Sequence, residues 1–585
     1  MSVLASLARA YDRMAERNEV PPFGYSTEKI SFVISLNADG TPAGIPTDLR
    51  ENNGKKRIPR PMVVPQPSKR TSGIAPNFLW DKTSYALRIG ESKRLTEEHT
   101  AFVTRHVKSL SESEDAGLKA LLTFLQQWRA EAFQTYRWPD EMKDQNVVFA
   151  LESERLQNIF IHDRPAARQL WARLSSSEKK TEAACLVSGD RAPVARLHPA
   201  IKGVWGAQSS GASLVSFNLD AFESYGHEQG ENAPVSEAAA FAYTTALNKF
   251  LENGSKNRIQ IGDTSTVFWA DAGNAETAEK AEGIFAALIG SEIDEAMQAS
   301  KIGAVLEKIR NGQPIKDFAP DLAEGVRFYV LGLAPNAARL SVRFWLESDF
   351  GTIAKNYQCF LDDMRIAPPP RDVNAPIWRY LIETAVLGKR ENIPPNLAGE
   401  WMRSILTGTS YPLTLLSSTL MRLRSDKDVN AYRVAILKAV LTRNFKMKEA
   451  SVALDPENKD KGYLLGRLFA VYEQVQSAAL GRGVNATIKD KFYGAASAQP
   501  RKVFALLDKG SANHLSKIGK QSPGYKVTLE KLITGIMDIM SPDENPFPPS
   551  LSAEDQALFG LGYYHQRSEF FKSKKSDTAL EGTSP

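Results

Sequence analysis

Ten basic residues, Lys55, Lys56, Arg57, Arg60, Lys69, Arg70, Lys82, Arg88, Lys93 and Arg94, stand against only Asp81 and Glu91 between positions 55 and 94. Such a run can neutralise phosphates and release their counterions. Gln66, Ser68, Thr71, Ser72 and Asn77 add short donors and acceptors able to touch base edges or sugar oxygens. Pro59, Pro61, Pro65, Pro67 and Pro76 fix φ and remove amide donors. The stretch therefore reads as an ordered but irregular loop, not a helix or central strand. Phe78 and Trp80 have the shape to stack on a base or wedge between two, with core packing as the competing reading. A merely solvated charge run competes in the same way with polyanion binding.

A second basic stretch comprises Lys489, Lys491, Arg501, Lys502, Lys509, Lys517, Lys520, Lys526 and Lys531, against Asp490, Asp508 and Glu530. It could track a single strand; the solvent face of an ordinary helical bundle is the alternative. Over the whole chain, 73 Lys and Arg balance 68 Asp and Glu to +5. Distribution, not net charge, thus points to a polyanion: a positive region faces acid placed elsewhere, for instance between Asp271 and Glu295.

Catalytic devices are sparse. There is no G-x-x-x-x-G-K-[ST] phosphate cradle and no H-E-x-x-H zinc helix, and Gly206-Ala207-Gln208-Ser209-Ser210-Gly211 lacks the spacing of a nucleophile elbow. His99 and His106 could share a helix face, but no acidic or Cys cluster joins them at ligand spacing. The His162-Asp163 pair is the kind of dipeptide a metal phosphohydrolase uses, and Asp362-Asp363 reads as a solvated turn. No metal and no cofactor is expected. Cys185 and Cys359 are too few and too far apart for a zinc site, and suit a reducing cytosol. No apolar run is long enough for a membrane span, and the amphipathic start, with Val3, Leu4, Leu7, Ala8, Tyr11 and Met14 on one helix face, is unlike a signal peptide.

The elements that must position these residues fit an α+β chain of 585 residues, long enough for two to four domains at roughly 150 residues each. EKISFVISLN and GIPTDLR flank Ala38-Asp39-Gly40 as a hairpin. Leu118, Leu121, Leu122, Leu125 and Trp128 form a helical stripe. Strands are expected at Thr266 to Ala270, and at Val326 to Leu333 and Arg339 to Leu346 around Pro335-Asn336. A mixed N-terminal domain over 1–366, carrying the basic loop at about 50–94, should be joined by the proline-rich link 367–376 to a helical domain over 377–585. Helices are expected at Trp378 to Leu387, Trp401 to Leu406, Val429 to Leu441, Tyr463 to Leu480, Arg501 to Ile518, Tyr525 to Met540 and Ala553 to Phe571.

Four long strings, VPPFGYSTEKISFVISL, RPMVVPQPSKRTSGIAPNFLWDKTSYALRI, FYVLGLAPNAARLSVRFW and KGYLLGRLFAVYEQVQ, resemble the large subunit of the type I-C CRISPR Cascade surveillance complex. The resemblance implies a non-catalytic, cytoplasmic subunit of a crRNA-guided ribonucleoprotein that reads the protospacer-adjacent motif (PAM) in double-stranded DNA. Such a subunit helps open the strands into an R-loop and supports recruitment of a helicase-nuclease, while guide pairing reads the rest of the target. Its implied partners are target DNA, crRNA held through the complex, the backbone and crRNA-handle subunits, and the helicase-nuclease; an anti-CRISPR inhibitor is a further candidate. A small subunit resembling about 447–585 is also implied, translated internally from about Met447 or Val452.

Carried onto this sequence, the resemblance assigns motif readout to Gln66, Lys69, Arg70, Thr71, Ser72, Gly73 and Asn77, with Phe78 as a wedge. Phosphate contact falls to Lys55, Lys56, Arg57 and Arg60, and the path of a single strand to Lys489, Lys491, Arg501, Lys502, Lys509 and Lys517. Two rivals stay open: a metal-dependent nuclease or phosphohydrolase around His162 and Asp163, and a structural adaptor whose basic loop touches protein.

Overall fold

The computed structural model describes residues 2–54, 56–68, 73–176, 181–261, 264–289, 301–372, 375–394, 396–481, 486–540 and 545–572. The chain is α+β; among the described residues the strands lie within the first 349 and the elements beyond are helices. It divides into two compact units: Met1–Pro199 with Val215–Lys249, and Ala200–Leu214 with Phe250–Pro585.

In the first unit, a four-stranded sheet has the order Thr47–Asp48, Phe32–Leu36, Asn146–Leu151, Trp80–Lys82. The expected hairpin is present, Phe32 facing Asp48 and Val33 facing Thr47, with Gly40 at φ 85° in its turn. The other neighbour of Phe32–Leu36 is the distant Asn146–Leu151 strand, paired in parallel. Every residue of Phe32–Leu36 is buried, as a strand covered on both faces requires. Tyr25–Ile30 leaves this sheet and pairs instead with Arg60–Pro65.

That second pairing corrects the expectation of irregular backbone throughout the proline-rich stretch. The Gln66 amide donates to Gly24 O at 2.9 Å, which makes 24/66 a hydrogen-bonded position of the ladder. Bonded and non-bonded pairs alternate in antiparallel sheets. Pro61, opposite Lys29, and Pro65, opposite Tyr25, therefore occupy positions whose amide would point away from the partner strand. Spaced by four in an edge strand, the two prolines cost the ladder no bond.

The second unit has the four-stranded antiparallel sheet Arg258–Ile261, Thr264–Asp271, Arg327–Asn336, Arg339–Asp349. Its last hairpin continues through Pro335 and Asn336 and turns at Ala337 and Ala338 instead, Ala337 having φ 52°. Residues 367–376 lie within this unit: Ala367 N donates to Val452 O at 2.8 Å, the Tyr564 hydroxyl donates to Pro368 O at 2.7 Å, and one core holds both Ile366 and Ile377. The division into compact units falls near residues 200–250.

The seven expected C-terminal helices are all present, with shifted ends, and Leu413–Asp426 and Ile488–Ala498 join them. Lys461–Leu480 is the central helix, buried on nearly all sides against Ala553–Glu569. A Cβ on Gly462, Gly466 or Gly562 would fall onto the backbone of the facing helix, at Asp555 O, Phe559 O and Tyr463 O respectively. Glycine is what allows the two axes to approach so closely. The string KGYLLGRLFAVYEQVQ thus encodes packing. Met447 and Val452 sit in the irregular connection between Ala431–Phe445 and Lys461–Leu480, between elements and not within one. Among the described residues no helix is long and apolar enough to cross a membrane.

Candidate nucleic-acid interface

Glu51–Asn53 and Lys56–Ile58 form a small antiparallel hairpin, Asn52 facing Arg57, and Lys56, Arg57 and Ile58 are all exposed. Arg57 lies 2.5 Å from Asp48. That carboxylate is shared with Arg50, whose side-chain hydrogen bonds and charge are the main cause holding Asp48 at about 2; Arg50 also reaches Glu141 at 2.9 Å. Arg57 is therefore partly committed. Lys56, Arg60, Lys82, Arg88, Lys93 and Arg94 are exposed and meet no carboxylate among the described residues. Of the two acids that offset this run, Asp81 is wholly buried, its carboxylate accepting the amides of Asn77 and Lys82, each at 2.8 Å. The protein surface is thus more cationic here than the residue count.

The segment after Arg60–Pro65 crosses from one sheet to the other, and its two feet are fastened together. Asn77 Oδ1 accepts the Ser68 amide at 3.1 Å, and the Ser68 hydroxyl donates to Pro76 O at 2.8 Å. From the Leu95–Leu110 helix, Arg105 Nη1 donates to Ser68 Oγ at 2.9 Å and also to Pro76 O. Its guanidinium stands 5.9 Å and 5.8 Å from the ring centres of Phe78 and Trp171. Burial pushes the pKa of Arg105 down, with Asp81 opposing the shift.

Phe78 is 0% exposed and lies between His106 and Trp171, ring centres 5.5 Å and 5.4 Å away and nearly parallel. Leu79 takes a left-handed φ of 62°, and its amide donates to His106 Nε2 at 2.9 Å, while His106 Nδ1 pairs with Phe102 O at 2.7 Å. An acceptor Nε2 fixes the neutral, Nδ1-protonated ring. Complete burial accordingly lowers the pKa of His106 to about 4.

The expected site residues therefore separate. Gln66 and Gly73 are exposed. Gly73 has no positive φ, and a Cβ there would meet nothing within 4 Å among the described residues, so neither turn geometry nor crowding by them requires glycine. Asn77, 3% exposed, and Phe78 are inside. A base reader or wedge must reach the duplex, and as folded these two side chains instead hold the loop from within. Lys55, Lys69, Arg70, Thr71 and Ser72 lie outside the described residues.

Arg105, Asp81, His106 and Trp171 are the supporting residues that sequence reasoning did not find. The i, i+4 stripe Glu98, Phe102, His106, Leu110 marks the buried face of the helix that carries Arg105 and His106, but nothing in sequence ties it to a loop 30 residues earlier.

The C-terminal cations follow a regular pattern. Along Pro500–Gln521, Val503, Phe504, Leu507, Leu515 and Ile518 are buried, and Lys502, Lys509, Lys517 and Lys520 are exposed on the opposite face. The first three stand about 10 to 12 Å apart along the axis, from a rise of about 1.5 Å per residue. Asp508 accepts from the Tyr472 hydroxyl at 3.0 Å, and Arg501 Nε reaches Phe547 O at 3.3 Å. Lys491 is exposed and Lys489 half-buried, beside the Thr487–Asp490 capping box.

His162 is buried against Phe160, 3.8 Å from Asp163, and His99 Nδ1 pairs with Tyr85 O at 2.8 Å. Among the described residues no three His, Cys, Asp or Glu side chains are grouped to hold a metal ion.

With this geometry established, comparison with known protein families places the chain among the CRISPR-associated proteins. Residues 7–571 match the family Cas_Csd1, described as a CRISPR-associated protein, and the chain belongs to that family. No curated protein matches it.

Proposed function

We propose that this CRISPR-associated chain is the non-catalytic large subunit of a type I-C Cascade complex, and that its 50–94 region grips duplex DNA and reads the protospacer-adjacent motif. The observation that carries the reading is the set of six exposed cations from Lys56 to Arg94 that meet no carboxylate among the described residues, flanking in sequence a loop whose feet are fastened by Ser68, Asn77 and Arg105. In this reading Lys55, Lys56, Arg57 and Arg60 hold phosphates. Gln66 and residues 69–73 face the base edges, where each well-made contact adds about 1 to 3 kcal/mol of discrimination. Strand opening and R-loop formation follow, and the lysine face of Pro500–Gln521 offers a path for a single strand or a heteroduplex backbone. The handle and backbone subunits, crRNA, the helicase-nuclease and a small subunit starting near Met447 or Val452 complete the assembly, in the cytoplasm; the DNA site is also where an anti-CRISPR inhibitor would act.

The test is duplex binding by the crRNA-loaded assembly across a salt series. Lys56→Ala should weaken motif and scrambled duplexes alike and reduce the salt slope by about one. Gln66→Ala should weaken only the motif duplex. Equal losses on both duplexes for every loop variant would remove motif readout. DNA degradation by the purified chain with a divalent metal, abolished by His162→Ala, would replace the non-catalytic reading.

A further inference from the structure

Far in sequence from the cationic region, Ser224–His227 forms a tight turn at an acidic surface. His227 N donates to Ser224 O at 3.0 Å, and Tyr225 and Gly226 have φ of 54° and 75°. Two consecutive left-handed residues are the requirement of a type I′ turn, whose first central position favours Asn, Asp or Gly. Tyrosine is a poor residue for that backbone, and its ring recovers nothing within the chain, being 98% exposed.

The turn is nonetheless rigidly held. Asn232 Oδ1 accepts the Ser224 amide, and Asn232 Nδ2 donates to His227 O and Gln229 O, each at 3.0 Å. Gly230 N donates to Arg196 O at 3.1 Å, and a Cβ on Gly230 would collide with Ala195 O. A strained, preorganised turn displaying a whole aromatic ring to solvent has the makings of a binding anchor. Tyrosine brings large contact area with few torsions to freeze, and preorganisation removes much of the cost of association.

Charge selects the partner. Asp220, Glu223, Glu228 and Glu231 flank the turn in sequence, with no Lys or Arg from Val215 to Asn232, and Arg196, which reaches the edge of this segment, is bonded to Gln229 Oε1 at 3.0 Å. A polyphosphate would be repelled here. Leu219 and Phe222, six and three residues before Tyr225, are exposed apolar side chains of the same segment. We propose that the Ser224–His227 turn is a protein-docking knob, its Tyr225 ring entering a cleft with a cationic rim on another protein subunit of the same effector complex. The inference rests on the reading of the chain as one subunit of such a complex.

The experiment uses the full chain and the separately purified remainder of the crRNA-loaded complex. Tyr225→Asn removes the ring but suits the turn better, so its melting temperature should not fall, while incorporation should weaken by about 10-fold or more. Glu223→Gln with Glu228→Gln should flatten the salt dependence of incorporation. Irradiating the assembled complex of Tyr225→p-benzoylphenylalanine should yield an adduct with a protein subunit. Unchanged incorporation of Tyr225→Asn, or an adduct only with nucleic acid or within the same chain, overturns the knob. If the wild-type chain enters no crRNA-loaded complex, the subunit reading itself falls; if it enters and Tyr225→Asn enters equally, only the knob does.

Discussion

At the N-terminal surface, cations ride on a short hairpin, an edge strand and connecting segments, and the loop among them is supported by side chains from elsewhere in the unit. Along Pro500–Gln521, four lysines occupy one face of a single helix whose other face is core. The first arrangement needs long-range contacts to fix where its donors point; the second needs only helical periodicity. Under the proposed function, shape-specific recognition belongs with the first and sequence-independent tracking of a backbone with the second. The comparison breaks if damage to the support of either surface has the same consequence as removing its exposed charge.

The largest expected effect is Gly466→Ala. The added methyl must displace the backbone at Phe559, in the most extensively packed helix pair of the second unit, so a loss of about 3 kcal/mol or more is expected. Denaturant unfolding checks it. A loss below about 1 kcal/mol would show that the two helices can separate at little cost, and that the lysine-bearing helix sits on a less rigid support.

Acid should weaken the support of the first surface through His106, and not there alone, since burial also holds His565 of the second unit at about 4. The His106 ring is neutral in the fold, with its pKa lowered to about 4 from an ordinary 6.5. The unfolded chain therefore takes up a proton that the folded chain excludes between those values, and stability must fall as pH drops through that window. At about 1.4 kcal/mol per unit of pKa the loss approaches about 3 kcal/mol for this one group. Melting temperatures from pH 7 to pH 4.5, compared with those of His106→Gln, isolate it: the variant should be less stable at neutral pH and less sensitive to acid. An identical pH slope in both proteins would exclude His106 as the source.

Arg105→Ala should cost about 2 kcal/mol, since it takes from Ser68 Oγ its donor and from Pro76 O one of its two donors and removes a guanidinium packed over two rings. Preference for a motif duplex should collapse while the salt slope changes by less than one, because the charge is half-buried and engaged by Ser68 and Pro76. Arg105→Lys keeps the charge but not the planar stacking geometry, so it should restore stability only in part. Retained selectivity in Arg105→Ala would mean that the fastened feet do not set the shape of the loop.

How much of this was legible in sequence follows from the range of the interactions involved. Helices with an apolar stripe were legible because period 3.6 is local, and so were the hairpin at Asp39-Gly40 and the strand pair ending at Asn336. Leu413–Asp426 was missed because LTLLSSTLMRLRSD interrupts its stripe with Ser and Thr, which favour caps and turns. The Arg60–Pro65 strand was missed because proline spacing has meaning only once the bonded positions of the ladder are known. In the site, charge density was visible but roles were not. Asn77 and Phe78 share a segment with exposed Gln66, and only the approach of Arg105, Asp81 and His106 shows that these two face inward.

The smallest expected effect is also the sharpest control. Lys509 is exposed on the solvent face of Pro500–Gln521 and meets no carboxylate among the described residues, so Lys509→Ala should leave stability within about 0.5 kcal/mol. If this face follows a nucleic-acid backbone, single-strand binding by the assembled complex should weaken equally for all sequences, with the salt slope reduced by about 0.7, as for one lost contact to a single strand. Lys502→Ala and Lys517→Ala should behave alike, and because neighbouring lysines are about 10 Å or more apart their effects should add. Strongly non-additive losses would mean that one of the three contacts a defined site, and that this helix, like the loop at the other end of the chain, positions its charges for a particular shape.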